Sequence, residues 1–144
     1  MHQLLYVSNA VELMSRQELD VLLDQAKANN KALNITGMLV YHDGTFIQIL
    51  EGEEQQVKSL FEEVKKDPRH DNVILIEEMP VQKRAFASWD MAFRQLSTAE
   101  LKDYPVIDRL LNKDGQTSSG VLTEIVDVFL DMTVTSPDNF FTRQ

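Results

Sequence analysis

An Asp-Gly pair between two apolar segments is the feature that most constrains how this 144-residue chain can fold. Asp43-Gly44 follows Ile35–Tyr41 and precedes Thr45–Leu50, an arrangement that is the strongest short-range signal for a β-hairpin. The second segment reads TFIQIL and is largely apolar on both faces, with Gln48 in its middle. Strands buried on both faces have this character. The sequence therefore predicts two adjacent antiparallel strands, the second of them central in a sheet.

Amphipathic helical patterns flank this hairpin on both sides. Ser15 and Glu18 have the spacing of a capping box, and a helical stripe follows at Leu19, Leu22, Leu23 and Ala26. A second stripe after the hairpin comprises Val57, Leu60, Phe61 and Val64. Asp67-Pro68 then ends that helix. Continuing the first stripe by three and four residues reaches Asn29 and Asn30, so its apolar face ends in two carboxamides.

The order of these elements predicts an α+β fold. Further strands are indicated at Leu4–Val7, Val73–Ile76 and Met91–Leu96. The order βαββαββ favours a ferredoxin-like sheet with both helices on one face and the first and third strands adjacent. Tyr6 and Gln48 would lie on those two strands. Both face the helices if their side-chain parities point inward, which periodicity alone does not decide.

The last third of the chain predicts a helical extension. A helix start is indicated at Asp103–Pro105, a polar segment runs from Asp114 to Gly120, and a stripe follows at Leu122, Ile125, Val126 and Phe129. Residues 1–97 would form one domain, and residues 98–144 a two-helix extension that covers the sheet face left bare by the first two helices. Self-association and partner binding are the alternative uses of the stripe.

Composition excludes several classes of function. The chain has no cysteine, hence no disulfide, thiolate nucleophile or Cys-type metal site. Its three histidines, His2, His42 and His70, lack metal-ligand spacing, and we expect no metal. A net charge of −9 disfavours direct contact with nucleic acid or an anionic membrane. With neither a signal-peptide pattern nor an apolar run of about 20 residues, we expect a cytoplasmic protein.

Four polar side chains fall on or beside the predicted apolar stripes: Tyr6, Asn29, Asn30 and Gln48. A buried amide without a partner costs about 1–3 kcal/mol. Each residue taken alone has an ordinary explanation, such as a satisfied core tyrosine or a helix C-terminal asparagine. Together, on elements that the topology brings side by side, they favour a shared flat ligand that forms hydrogen bonds near the centre of the sheet.

A set of short segments spread over two-thirds of the chain resembles the BLUF domain, the sensor of blue light using flavin. The matching segments are Leu4–Ser8 (LLYVS), Asn29-Asn30, Ile35–Leu39 (ITGML), Tyr41–Gly52 (YHDGTFIQILEG), Asp67–His70 (DPRH) and Arg84–Met91 (RAFASWDM). Each segment is weak alone, but the set in this order is specific. The resemblance implies the same ferredoxin-like fold, with an isoalloxazine ring between the two helices.

The resemblance assigns photochemical roles to two residues and signalling roles to two more. Tyr6 matches the tyrosine that donates an electron and a proton to the excited flavin. Gln48 matches the glutamine whose amide rearranges its hydrogen bonds, by rotation or by tautomerisation. Trp89 and Met91 match a pair on the last strand that is thought to exchange places near the glutamine and pass on the signal. A tryptophan that merely covers the edge of the core is the alternative for Trp89.

The resemblance also implies a set of residues that hold the cofactor. Asn30 matches the residue that anchors the polar edge of the ring, Asn29 occupies the position before it, and Arg69 and His70 match a basic pair beside the flavin. Apolar walls would come from Ile35 and Leu39. Lys65, with Lys66 and Arg69, is the nearest candidate for the cofactor phosphates.

These assignments imply a non-enzymatic photoreceptor. We expect a non-covalent flavin, FAD ahead of FMN, a homo-oligomer, and a separate effector or regulator protein as partner, since the 45 or so residues after Thr98 are too few for a cyclase or phosphodiesterase. Without cysteine a cysteinyl–flavin adduct is excluded. The alternatives are a flavin-dependent redox enzyme and a cofactor-free ferredoxin-like interaction module.

Overall fold

Five strands form one mixed sheet with the order β4-β1-β3-β2-β5. The computed structural model describes residues 1–112 and 120–135. The strands are β1 (His2–Ala10), β2 (Thr36–His42), β3 (Thr45–Gly52), β4 (His70–Pro80) and β5 (Ala92–Gln95). The helices are α1 (Arg16–Ala32), α2 (Glu54–Lys66), α3 (Thr98–Leu101), α4 (Pro105–Asn112) and α5 (Val121–Thr135).

The predicted hairpin is present, and its second strand is central. Asp43 and Gly44 have φ values of 44° and 86°, the positive values that a two-residue hairpin turn of type I′ requires. β3 pairs antiparallel with β2 on one side and with β1 on the other. The first and third strands are therefore neighbours, as the ferredoxin-like topology predicts.

Alternate strand residues build two separate cores. On one face, α1 and α2 cover a cluster that includes Leu4, Tyr6, Leu39, Phe46, Leu50 and Phe93. On the other, the C-terminal helices cover a cluster that includes Leu5, Val7, Met38, Val40, Ile47 and Ile49. The stripe predicted in α5 is buried in this second cluster, as Leu122, Ile125, Val126 and Phe129 show. The extension thus covers the face opposite α1 and α2, while a domain boundary at residue 97 stays a prediction.

Helix ends follow the local sequence signals. Ser15 and Glu18 form a complete capping box at the start of α1. α2 ends at Lys66, immediately before Asp67-Pro68, and α4 begins at Pro105, a position that tolerates the missing N–H. The short helix α3 has no counterpart in the prediction, although Ser97 and Glu100 form a second capping box at its start.

β4 is longer than the four residues predicted for it. It spans 11 residues, because its polar ends pair with β1 along the whole strand although only its middle is apolar. The polar segment predicted at 114–120 lies outside the described residues except for Gly120. Within the described part of the chain, no helix has the length and apolar character needed to cross a membrane.

Candidate functional site

Tyr6 and Gln48 form a buried pair across the centre of the sheet. The two residues are direct partners in the β1–β3 register, so their side chains leave the same face side by side. That face is the one covered by α1 and α2, which settles the parity that periodicity left open. The Tyr6 hydroxyl donates a hydrogen bond to Gln48 Oε1. The tyrosine is 1% exposed and the glutamine 6% exposed.

The environment of Tyr6 keeps its phenol protonated. Burial raises the pKa of the Tyr6 hydroxyl well above its usual value, and the negative charge of Asp67 raises it further. At neutral pH the hydroxyl is therefore a hydrogen-bond donor to Gln48. Its ring packs at a tilt against Phe61 of α2, with ring centroids 5.4 Å apart.

The amide nitrogen of Gln48 is held by a weak partner. Nε2 lies 3.3 Å from the Sδ atom of Met91, and a thioether sulfur is a poor acceptor. Oxygen and nitrogen of this amide therefore have unequal partners, a hydroxyl and a thioether. An amide held in this way can change its donor and acceptor directions without moving any net charge in the core.

The C-terminal end of α1 brings an asparagine to the same region. Asn30 is 2% exposed, and its Nδ2 donates to the backbone oxygen of Asp90 over 2.8 Å. Asn29, one position earlier, is exposed on the same turn. The prediction that the apolar stripe of α1 ends in two carboxamides is thus realised with one of them buried.

A charged cluster closes the side of the site next to α2. The Arg69 guanidinium binds both carboxylate oxygens of Asp67, with Nε 3.0 Å from Oδ1 and Nη2 2.6 Å from Oδ2. It also donates to Gln25 Oε1 over 2.7 Å. This pairing lowers the pKa of Asp67, so the carboxylate stays charged near Tyr6.

His70 extends the cluster toward β1. Its Nδ1 and the Ser8 hydroxyl are joined by a hydrogen bond of 2.9 Å, and its ring packs 5.0 Å from that of Phe46. Burial lowers the pKa of His70 below 6.5, against an opposing effect of Asp67 and with a further lowering by Arg69. The imidazole is therefore neutral at physiological pH.

The shifted pKa predicts a pH dependence of stability. Since His70 binds protons less readily in the folded than in the unfolded chain, the free energy of unfolding falls as the pH drops through 6.5 toward the folded-state pKa. We expect the urea midpoint of the wild type to fall more steeply than that of His70→Gln between about pH 7.5 and 5.5. Parallel curves for the two proteins would contradict this assignment.

These side chains surround a cleft between α1 and α2. Its non-protein space of about 550 Å³ includes open solvent, and its lining combines apolar side chains with a few polar groups, as small-molecule sites do. Of the residues predicted to hold a cofactor, seven line it: Tyr6, Asn29, Asn30, Leu39, Gln48, Arg69 and His70. The structure thus brings most of the predicted site together.

Two residues of the predicted set are not among those that line the cleft. Ile35 is fully buried in the core beneath α1 and α2, in the same cluster as Leu39. The Lys65 ammonium group pairs with Glu62 over 2.8 Å and lies 4.9 Å from the centroid of the Phe61 ring. Among the lining residues, Arg69 is therefore the positively charged one, since His70 is neutral.

Sequence reasoning missed six other lining residues, namely Leu22, Gln25, Ala26, Leu60, Val64 and Asp67. Four of them belong to the helical stripes, which the sequence pattern predicts only as core. The stripes were the available signal, because the apolar faces of two helices on one sheet face must form the walls of any cleft between them. Asp67 is marked in the sequence only as a helix stop and as the first residue of the matching segment Asp67–His70, and nothing in the pattern marks Gln25.

Trp89 and Met91 lie on opposite sides of the sheet. Met91 is 1% exposed and belongs to the core beneath α1 and α2. Trp89 is half-buried and packs against the core beneath the C-terminal helices. In this arrangement the methionine, and not the tryptophan, contacts the Gln48 amide.

Fold and cleft together define a small ligand-binding domain of the ferredoxin-like class. The chain belongs to the BLUF family, sensors of blue light using FAD, whose family model matches residues 1–92. It is 31% identical over 123 residues to the photoactivated adenylate cyclase subunit beta of Euglena longa, covering 85% of this chain and 14% of that protein. The chain thus spans a small part of that relative's length.

Solved structures of BLUF proteins share the fold. The dark-state structure of BlrB, a BLUF protein, matches with a TM-score of 0.74 and 25% identity, covering 90% of this chain and 95% of BlrB. Klebsiella pneumoniae BlrP1 with FMN and cyclic diGMP matches with a TM-score of 0.64 and 27% identity, covering 94% of this chain and 35% of that one. The chain is therefore a blue-light sensor domain that uses flavin.

Proposed function

We propose that this chain is a blue-light photoreceptor in which Tyr6 and Gln48 are the photochemical pair beside a non-covalent flavin in the cleft. The observation that carries the proposal is the hydrogen-bond chain from the Tyr6 hydroxyl through the Gln48 amide to Met91 Sδ. Every link is buried, and every link is neutral.

The residues of the cleft fit an isoalloxazine ring. Leu22, Leu39, Leu60 and Val64 supply apolar walls for its flat faces, while Asn29, Asn30 and Gln48 supply carboxamides for its carbonyls and ring N–H. Arg69 at one side is the group best placed for a phosphate. FAD is the expected cofactor, with FMN the alternative, because BlrP1 was solved with FMN. Ile35 and Lys65 do not line the cleft. Ile35 would support it from the core, and Lys65 would contribute a positive charge on the surface.

When bound, flavin absorbs blue light and, once excited, accepts an electron. Tyr6 would be the donor of that electron and of a proton, which would pass from its hydroxyl along the hydrogen bond to Gln48 Oε1 and on to the flavin. With the phenol proton gone, the Gln48 amide would be free to rotate or tautomerise and to give up its weak bond to Met91 in favour of the cofactor. Once electron and proton had returned to Tyr6, only the hydrogen bonds would differ, so no external reductant would be consumed.

We propose that residues 1–97 sense light and that residues 98–144 transmit the resulting signal to an effector or regulator protein. A contact between β4 and α5 supports this proposal. The carboxylate of Glu77 in β4 accepts hydrogen bonds from the backbone N–H groups of Gly120 and Leu122, at 3.3 and 2.8 Å. The sheet thereby holds the start of α5 directly. A homo-oligomer and a cytoplasmic location belong to the same proposal.

Illumination of the purified protein tests the photoreceptor. Expressed with flavin available, it should be yellow, and blue light should shift the flavin absorption slightly to the red, with return in the dark. A colourless protein, or a yellow one whose spectrum bleaches or does not move, would contradict the proposal.

Pull-downs from the host, compared in the dark and in the light, test the output. The same set of captured partners in both conditions would count against light-dependent association.

A further inference from the structure

A carboxylate is buried on the central strand, three residues beyond Gln48. Glu51 of β3 is 0% exposed. It lies outside the cleft lining and takes no part in the photochemistry proposed above. A buried carboxylate is costly unless hydrogen bonds satisfy it, so its partners indicate what it holds.

Four donors from three parts of the chain surround this carboxylate. Oε1 accepts from the Thr36 hydroxyl at 2.8 Å and from the backbone N–H of Phe86 at 2.6 Å. Oε2 accepts from the backbone N–H of Ala85 at 2.9 Å and from Gln3 Nε2 at 3.1 Å. Glu51 therefore ties the segment that precedes β5 to the middle of the sheet.

Arg84 strengthens the same attachment. Its Nη1 donates to the Thr36 hydroxyl oxygen at 2.9 Å and to the backbone oxygen of Glu51 at 3.0 Å. Its Nη2 donates to the backbone oxygen of Asn34 at 2.6 Å. The first residues of the segment Arg84–Met91, here named the strap, are thus fixed by side-chain and backbone groups together.

The other end of the strap is held next to the photochemical pair. The backbone oxygen of Trp89 accepts from Gly37 N at 3.3 Å, and the oxygen of Asp90 accepts from Asn30 Nδ2. Met91 Sδ accepts a weak hydrogen bond from Gln48 Nε2. Glu51 and Gln48, on one strand, therefore hold opposite ends of the strap, one through strong bonds and the other through a thioether.

We propose that Glu51 is a positioning residue for signal transmission: it anchors the start of the strap so that rearrangement of Gln48 moves the Trp89–Met91 end alone. The inference rests on the proposed function. With one end fixed, loss of the Gln48–Met91 contact is converted into a defined displacement of Trp89. With both ends loose, the same rearrangement would move the tryptophan in no defined direction.

Glutamine cannot replace Glu51 in this role. The strap itself presents two backbone N–H groups, of Ala85 and Phe86, one to each carboxylate oxygen. These groups can only donate, whereas an amide offers one oxygen and one NH₂. Glu51→Gln would therefore set its NH₂ against one of the two N–H groups, whichever way it is turned, so the variant keeps the size of the side chain and loses one of the two hydrogen bonds that hold the strap.

Trp89 reports on the strap directly, because it is the only tryptophan of the chain. The experiment records the flavin red shift together with the light-minus-dark change in tryptophan emission and in its quenching by acrylamide. We expect Glu51→Gln to retain flavin and the red shift, to lose most of the light-minus-dark change, and to show greater quenching in the dark. Glu78→Gln is the control and should keep the wild-type tryptophan response, since Glu78 also binds a side chain of β1, His2 Nε2 at 2.7 Å, but lies outside the strap.

The outcomes separate this inference from the proposed function. A wild type without the red shift would overturn both. A wild-type tryptophan response in Glu51→Gln, or loss of the red shift together with that response, would overturn the role of Glu51 alone. If Glu51→Gln does not fold, Arg84→Gln compared with its exposed neighbour Lys83→Gln decides the matter. Arg84→Gln should weaken the tryptophan response while keeping the red shift, and equal responses in those two variants would refute the anchor.

Discussion

Replacing Tyr6 by phenylalanine should abolish the light-induced red shift while flavin stays bound. The substitution removes one oxygen, and with it the proton donor to Gln48 Oε1. A phenyl ring is also a far poorer one-electron donor than a phenol. The ring itself remains to pack against Phe61, so the cleft keeps its shape. Absorption spectra before, during and after illumination measure the effect.

Tyr41→Phe is the matched control for this prediction. Tyr41 lies on the same face of the sheet, is 2% exposed and belongs to the same core cluster as Tyr6. Its hydroxyl oxygen accepts from the backbone N–H of Met14 at 3.1 Å, away from Gln48. The control should keep a normal red shift. A shift of wild-type size in Tyr6→Phe would remove the phenol from the mechanism.

Gln48→Ala should also abolish the light-induced red shift, but for a different reason. The variant keeps the Tyr6 phenol as electron donor but deletes the amide whose hydrogen bonds are to be rearranged. Comparison of the two variants separates the electron-transfer step from its consequence. A persistent red shift in Gln48→Ala would mean that another group alters its bond to the flavin.

Much of this fold could be predicted because local signals and topology agree. Asp43-Gly44 defines a hairpin register in which Gln48 is central, and right-handed crossovers then place β1 beside β3. The adjacency of Tyr6 and Gln48 follows from those two facts. Their shared orientation toward the helices did not follow, because a strand that is apolar on both faces has no parity signal.

The parts of the site that escaped prediction depend on contacts between distant segments. Glu51 reads as an ordinary strand-end carboxylate, and only the path of residues 84–86 across β3 shows that four donors converge on it. Met91 and Trp89 are two residues apart, so strand alternation would put them on the same side of the sheet. They lie on opposite sides because both precede β5, in a segment that turns at residues 86–89, where Trp89 N bonds to Phe86 O at 3.0 Å. No period in the sequence encodes that turn.

The second large effect is expected from Gly37→Ala. Overpacked cores lose about 1–3 kcal/mol of the free energy of unfolding, and we expect this variant to lie at the upper end of that range or above it. A Cβ at Gly37 would lie much closer than 3.0 Å to the backbone oxygen of Ile49, and real Cβ atoms do not approach another atom that closely. A carbonyl in the central strand cannot move aside as a side-chain tip can. β2 or β3 must therefore shift next to Gln48, so we expect the flavin spectrum and the red shift to change along with the urea midpoint.

Gly52→Ala provides the comparison at the end of the same strand pair. Its Cβ would meet the Asn34 backbone oxygen at 3.2 Å and Ile35 Cγ1 at 3.3 Å, contacts that a few tenths of an ångström relieve. The gain from a stiffer unfolded chain, about 0.4–1 kcal/mol, offsets that strain, and the midpoint should stay close to the wild type. Equal midpoints for Gly37→Ala and Gly52→Ala would show that the close approach of β2 to β3 is not required. A much lower midpoint for Gly37→Ala with an altered flavin spectrum would show that this approach sets the position of Gln48 beneath the cofactor.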